Sequence, residues 1–253
     1  MNRLLGCFLA VVAMAAAQDA RQIVAESQNR SRSKSLQYEG TLEVIGPSNK
    51  SSVKRWLFER IGAFGTSRAI LRFTAPPEVN GVTLLIVNHP DRASEQWMWT
   101  PSIQRDRPIA LQDRATRFFG TGYSFEDIEE RDLNQFDYKL AGADTVDGAL
   151  CWKIESRPKE SKSSQYTLSV LSIRKDNYAV AQIDNYTQDK LIRRIHNSEI
   201  QKVDGIWTPR MLEIEDPGRQ IRTVLKLENI RYNLPLNEQD FTLEALRSAS
   251  PPK

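Results

Sequence analysis

Apolar and polar residues alternate with a period of two from residue 36 onward, which predicts β-strands. Leu36, Tyr38, Leu42 and Val44 are separated by polar or charged residues, and such alternation places the apolar side chains on one face of a sheet. The pattern continues to about residue 227 and is interrupted by turn sequences. These are Gly46-Pro47-Ser48-Asn49, Asp147-Gly148, Asp176-Asn177, Gln188-Asp189, Asp204-Gly205 and Asp216-Pro217-Gly218. Strands joined by short turns pair antiparallel, so we predict one antiparallel sheet.

Helical periodicity is limited to short segments. Ala20, Ile23 and Val24 recur on one helical face after Asp19, which predicts a helix from Asp19 to Ser31. Ala110 to Phe119 and Asp240 to Arg247 could each form about two turns. An open sheet of roughly ten strands tends to curl, and only these helices are expected to cover its concave apolar face. The predicted fold is mainly β (α+β): a single curved antiparallel sheet, an incomplete barrel covered by a few short helices, with an apolar cavity beneath them.

The N-terminal residues predict export. Met1 to Arg3 is a short positive region, Leu4 to Val12 is apolar, and Ala15-Ala16-Ala17 fits a cleavage site. The apolar run is shorter than the roughly 20 residues that a membrane-spanning helix needs. We therefore expect a signal peptide at residues 1–17, a single domain at residues 18–253, and a periplasmic location.

The two cysteines have different contexts. Leu4-Leu5-Gly6-Cys7 spells a lipid-attachment motif, but only three residues precede it, so we interpret Cys7 as part of the removed peptide, with lipidation as the alternative. Cys151 would then lie alone in the mature chain, without a disulfide partner. Its neighbours Leu150 and Trp152 favour a buried position.

The net charge and the sequence motifs restrict the classes of function that the chain can have. Lys and Arg number 35 against 32 Asp and Glu, a net charge of +3, which gives no basis for nucleic-acid binding. His89 and His196 are isolated, and no metal-ligand spacing, nucleophile elbow, phosphate-binding loop or dinucleotide fingerprint occurs. We therefore predict no enzyme, catalytic residue, metal or cofactor. The acidic pairs Glu126-Asp127 and Glu129-Glu130 are interpreted as solvated.

Two groups of residues are candidates for ligand contact. The apolar group either forms ordinary core or lines a lipid cavity. Its members are Trp56, Phe58, Phe73, Leu84, Ile86, Trp97, Trp99, Phe118, Phe119 and Phe125. The basic group either faces solvent or meets an anionic head group or acidic partner at the cavity mouth. Its members are Arg105, Arg107, Arg114 and Arg117.

Two stretches carry a family resemblance: residues 96–105, QWMWTPSIQR, and residues 118–127, FFGTGYSFED. Together with residues 204–209, DGIWTP, they resemble the outer-membrane lipoprotein-sorting protein family related to LolA. The chain departs from the family pattern in a thinned basic run at residues 104–108 and in Gly122, where the family has an acidic residue.

The resemblance implies a LolA-like half-barrel with a hydrophobic cavity for acyl chains. It implies a monomeric periplasmic carrier that takes the acyl chains of lipoproteins or lipids toward the outer membrane, with transient membrane contact and an exporter of the resistance-nodulation-division (RND) type as a partner. The alternative function is a periplasmic lipoprotein or lipid sensor that regulates a membrane-bound signalling partner. A hydrolase using a serine or a carboxylate is a third hypothesis.

Overall fold

The computed structural model describes residues 20–48, 50–90 and 92–247, so the predicted signal peptide, Cys7 and the C-terminal Ser248 to Lys253 lie outside the described residues. Helix α1 spans residues 20–30 and α2 spans Leu243–Leu246. The described residues form fifteen strands. They are β1 (Ser35–Ile45), β2 (Ser51–Ile61), β3 (Arg68–Ala75), β4 (Thr83–Val87), β5 (Glu95–Thr100), β6 (Arg105–Pro108), β7 (Phe136–Val146), β8 (Ala149–Pro158), β9 (Leu168–Arg174), β10 (Val180–Thr187), β11 (Lys190–Ser198), β12 (Gln201–Val203), β13 (Ile206–Thr208), β14 (Met211–Asp216) and β15 (Ile221–Tyr232).

Thirteen of these strands form one open antiparallel sheet, and β12 and β13 form a separate two-stranded ribbon. The order in the large sheet is β6-β5-β4-β3-β2-β1-β15-β14-β11-β10-β9-β8-β7. The predicted fold class is confirmed, with more strands than the roughly ten expected. Strands β6 and β7 are consecutive in sequence but lie at the two opposite edges. The chain between them, residues 109–135, therefore has to cross the sheet.

Alternation assigns each strand residue to the concave or the convex face. Strands β3 and β4 pair Leu71 with Leu84 and Ile70 with Leu85. Leu71 and Leu84 belong to the large concave core, whereas Ile70 and Leu85 belong to a smaller convex core. Helix α2 completes that convex core with Leu246, which is fully buried.

Helix α1 covers the opposite end of the concave face, as the apolar spacing predicted. Ala20 and Val24 pack against Phe136, Tyr138 and Ile154 of the last strands. The Arg21 Nη1 and Gln28 Nε2 atoms donate hydrogen bonds to backbone carbonyls of the segment that precedes β7. The helix is thereby fixed to the crossing segment and to the sheet.

The other two predicted helices are shorter than expected. Ala110 to Phe119 contains only one 3-10 turn, at Leu111–Asp113, and is otherwise irregular. The Thr116 hydroxyl donates to the Asp113 carbonyl at 2.6 Å, and such local side-chain bonds compete with helix formation. Asp240 to Arg247 forms the single turn of α2. None of the helices among the described residues is long and apolar enough to cross a membrane.

Candidate functional site

Residues 109–125, here called the cover segment, lie over the concave face. Ile109, Phe118, Tyr123 and Phe125 are buried in the same core as the inward-facing side chains of the sheet. The Gly122 amide donates to the Thr223 hydroxyl of β15 at 2.8 Å. The short helices were expected to form the lid, but this irregular segment is the principal cover of the central strands.

Phe118 is the centre of the cover. Its ring centroid lies 5.5 Å from that of Phe73, 6.2 Å from Trp56, 5.0 Å from Phe119 and 5.4 Å from Phe125. These spacings are typical of packed aromatic pairs. The space for which we predicted an apolar cavity is thus occupied by the protein's own rings.

The structure brings eight of the ten apolar candidates into this concave core. Trp56, Phe73, Leu84, Ile86 and Phe118 are each at most 3% exposed. The remaining three are Phe125, which is also buried, and Phe58 and Phe119, which are partly buried and pack against the core. Trp56, Phe58, Phe73, Leu84 and Ile86 belong to the sheet beneath the cover segment, and the other three belong to the cover segment itself.

Trp97 and Trp99 do not join the other apolar candidates. Strand β5 pairs Trp97 with Leu85, so both tryptophans lie on the convex face, in the core closed by α2. The adjacent inward positions belong to Gln96 and Met98. Because side chains alternate along a strand, a ligand on the concave face would not reach these two rings.

The four arginine candidates occupy different environments. Arg105 and Arg107 are exposed on the edge strand β6. Arg114 is 6% exposed and donates to Ser94 Oγ and to the Ser94 and Ile109 carbonyls. Arg117 donates to the Thr121 carbonyl at 3.1 Å and closes the turn of the cover segment. Only Arg105 and Arg107 are therefore free to meet a partner, and Arg114 and Arg117 stabilise the cover.

The acidic residues at positions 126–130, here called the acidic strap, are not solvated as we expected. The Glu129 side chain is 7% exposed and forms ion pairs with Arg114 and with Lys162, whose Nζ lies 3.0 Å from Oε2. Gln96 Nε2 of β5 donates to Glu129 Oε1 at 3.0 Å. The partners are contributed by separate segments that converge only in the fold, so the sequence pattern gave no sign of these pairs.

Asp127 forms the most buried ion pair of the strap. Its Oδ2 lies 2.5 Å from Arg193 Nη1 of β11, and the two side chains are 2% and 1% exposed. The Tyr166 hydroxyl donates to Asp127 Oδ1 at 2.8 Å. Burial alone would lower the pKa of Arg193, but Asp127, Tyr166 and Asp216 raise it. Arg193 is therefore charged and held in place by its acidic neighbours.

Glu130 connects the strap to the first half of the sheet. It accepts from the Phe64 amide at 2.8 Å and from Ser67 Oγ, and Arg60 Nη1 of β2 lies 3.3 Å away. Glu129 and Glu130 thus bind β5 and β2, whereas Asp127 binds β11 in the other half. The strap ties both halves of the open sheet across the concave face.

Other reactive groups lie at the surface or are enclosed. His89 pairs with Glu95 at 3.1 Å and His196 with Asp147 at 2.8 Å, both partly exposed. Cys151 is buried as predicted, and burial raises the pKa of its thiol. Among the described residues no group of three or more His, Cys, Asp or Glu side chains is arranged to hold a metal ion.

Comparison with known proteins identifies the family. A family model described only as "Uncharacterized protein" matches residues 65–248, which include the cover segment and the acidic strap. The chain belongs to this family. No curated protein matches the chain by sequence.

Solved structures agree with the half-barrel. A DUF1329 family protein from Desulfovibrio piger is 26% identical, with a TM-score of 0.87 over 91% of this chain and 99% of that one. A domain described as outer membrane lipoprotein-sorting, from Vibrio parahaemolyticus, is 19% identical, with a TM-score of 0.86 over 92% and 100%. A LolA superfamily protein from Nitrosomonas europaea is 17% identical, with a TM-score of 0.71 over 89% and 98%. The resemblance and the LolA-like fold that we predicted are confirmed.

Sequence reasoning missed the basic residues that bind the strap. Arg60, Lys162 and Arg193 lie in unrelated stretches of the sequence with no shared motif, and each becomes significant only when the fold places it beside a carboxylate. One signal was available: Arg193 interrupts the inward series of β11, which continues with Ile195. A charged residue at an inward strand position indicates a buried partner.

Proposed function

We propose that this family member is a periplasmic carrier that binds acyl chains of lipids or lipoproteins on the concave face and releases them toward the outer membrane. The supporting observation is that an irregular aromatic segment covers the apolar face of an open half-barrel. Such a segment can leave without breaking a sheet or a long helix. An acyl chain can then take the place of Phe118, Phe119 and Phe125.

The free energies of acyl-chain burial and of ring exposure indicate in which direction the chain would be transferred. An acyl chain of about sixteen carbons loses about 13 kcal/mol in water relative to a membrane. Exposing three aromatic rings costs roughly 5–9 kcal/mol. Binding by displacement is thus favourable for a chain in water but unfavourable relative to one in a bilayer. Loading would need a donor that lifts the chain from the membrane, and unloading into an acceptor membrane would run downhill.

The proposal includes a cleaved signal peptide at residues 1–17, one domain at residues 18–253 and no catalysis. An RND-type exporter would suit the role of donor, and the exposed Arg105 and Arg107 on β6 are candidates to contact it. The outer-membrane sorting domain and the LolA superfamily protein support the carrier role by the names they carry, while their likeness to this chain shows the fold alone.

A disulfide between the cover and the sheet tests the proposal. A Cβ built on Gly122 would lie 3.3 Å from Ile214 Cβ, a few tenths of an ångström less than the roughly 3.5–4.5 Å spacing of a disulfide, so the bond needs only a small shift of the cover. In the Gly122→Cys, Ile214→Cys variant, oxidation should abolish binding of a fluorescent fatty acid and reduction should restore it. The Ile214→Cys single variant is the control and should bind in both states.

Two results would contradict this proposal. A wild-type protein that carries no lipid in native mass spectrometry and binds no fluorescent fatty acid would refute the acyl-binding function. An oxidised double variant that binds as well as the reduced one would instead refute displacement of the cover.

A further inference from the structure

A small pocket lies beneath the acidic strap, beside the concave core. Its volume is about 160 Å³, and the lining residues used here are Arg131, Lys162, Phe136, Ile183 and Ile195. Ile195 belongs to the large concave core, and Ile183 packs against both that core and the one beneath α1. The pocket therefore adjoins the apolar surface on which we place the acyl chain.

Arg131 contributes a guanidinium group to this pocket. Its guanidinium lies over the Phe136 ring at 4.2 Å. It donates to Ser156 Oγ at 3.0 Å and to Ser169 Oγ at 3.3 Å. Among the described residues no carboxylate lies within ion-pair distance of it, although the four acidic residues of the strap line the same pocket.

Two basic side chains among the described residues line the pocket, and Arg131 is the one without an ion pair. Asp127 is paired with Arg193, Glu130 with Arg60, and Glu129 with both Arg114 and Lys162. Glu126 accepts hydrogen bonds from Ser164 and from the Gln165 amide. Asp216 is a second carboxylate at Arg193, 3.8 Å away, so five basic side chains face five carboxylates, and among these ten groups only Arg131 and Glu126 have no ion pair. Charges held partly away from water are normally paired, and Arg131 has no carboxylate within ion-pair distance in the described part of the chain.

We propose that this pocket binds the anionic end of the acyl ligand, a carboxylate or a phosphate, through Arg131 and Lys162. A guanidinium already oriented by an aromatic ring and two hydroxyls can offer its remaining N–H groups to two oxygens at once. Phe136, Ile183 and Ile195 would contact the first methylene groups and direct the chain onto the concave face. This inference rests on the proposed carrier function and specifies its ligand class.

Ligands that share a chain but differ in charge test the proposal. Dodecanoate, dodecyl phosphate and uncharged dodecanol should compete with a bound fluorescent fatty acid. In wild type, at least one of the two anions should bind about tenfold or more tightly than dodecanol, the ratio expected from a charge-assisted hydrogen bond. Whichever anion binds more tightly identifies the source of the charge.

Arg131→Gln should remove that preference and leave dodecanol binding unchanged. Arg30→Gln is the matched control, because Arg30 also lies over an aromatic ring, that of Tyr178 at 4.1 Å, but on the outside of α1; it should leave the preference intact. Equal affinity of wild type for both anions and the alcohol would overturn the inference without reference to any variant. If none of the three ligands binds, the carrier function itself fails.

Discussion

At the scale of single residues, buried charges distinguish this half-barrel from an ordinary apolar core. Asp127 and Arg193 form an ion pair that is almost inaccessible to water. A buried pair gives little net stability relative to an apolar replacement, but removing one partner leaves an uncompensated charge. The pair therefore fixes the position of the acidic strap on β11.

Replacing Asp127 by Asn should lower the free energy of unfolding by about 3 kcal/mol, the lower end of the usual range for a broken buried pair, because Asp216 remains 3.8 Å from Arg193. Urea unfolding followed by circular dichroism measures this change. Asp176→Asn, at the exposed Arg174–Asp176 pair, is the control and should change stability by about 1 kcal/mol or less. Equal effects of the two substitutions would contradict the structural role of Asp127.

Residue-level prediction from the sequence succeeded where a pattern of neighbours was sufficient. Alternation correctly placed Leu42 and Val44 on the buried face of a strand, because the side-chain period of a strand is fixed by the backbone. It could not determine which face was concave, and Trp97 and Trp99 lie on the other face. It also could not predict the partners of Glu129 and Glu130, since Arg60 and Lys162 are distant in sequence.

At the scale of elements, the two faces of the sheet are covered by different segments of the chain. The concave face carries the cover segment and α1, whereas the convex face of β3 to β5 carries α2. The strands could be predicted because turn sequences mark their ends. The cover segment could not, because an irregular segment has no period and its conformation depends on the rings and backbone groups it meets.

Leu246→Ala should show which of the two faces of the sheet binds the ligand. Leu246 is fully buried in the convex core, and truncation at such a site costs about 2–5 kcal/mol. We expect a lower thermal midpoint with unchanged affinity for fatty acid, measured on the folded protein at low temperature. Leu243→Ala, at a side chain 37% exposed, should alter neither quantity appreciably. A loss of affinity in Leu246→Ala would place the ligand on the convex face instead.

At the scale of the whole molecule, the sheet remains open and the chain itself bridges it. Its edge strands β6 and β7 are joined by the crossing segment that carries the cover and the strap. Local opening of such a segment needs less free energy than unfolding the sheet, because few regular backbone hydrogen bonds are broken. In the proposed function, ligand exchange would therefore proceed while the half-barrel persists.

Hydrogen exchange measures that opening directly. Addition of fatty acid should speed exchange of the cover amides, including the Gly122 amide bonded to Thr223 and the Phe118 amide bonded to the Tyr123 carbonyl. Amides between β1 and β2 should be unaffected. The oxidised Gly122→Cys, Ile214→Cys variant should show no such change. Slower hydrogen exchange of the cover amides in the presence of fatty acid would mean that the cover stays in place over the bound ligand.

The attachment of the cover at both ends determines how it competes with a ligand. Because β6 and β7 anchor it, its rings act at an effective concentration set by tether length, which for short flexible tethers is on the order of millimolar. Closure is then a first-order event whose rate does not depend on how much protein is present. In the proposed carrier function, the cover would therefore close again after each delivery, even at a low concentration of the protein.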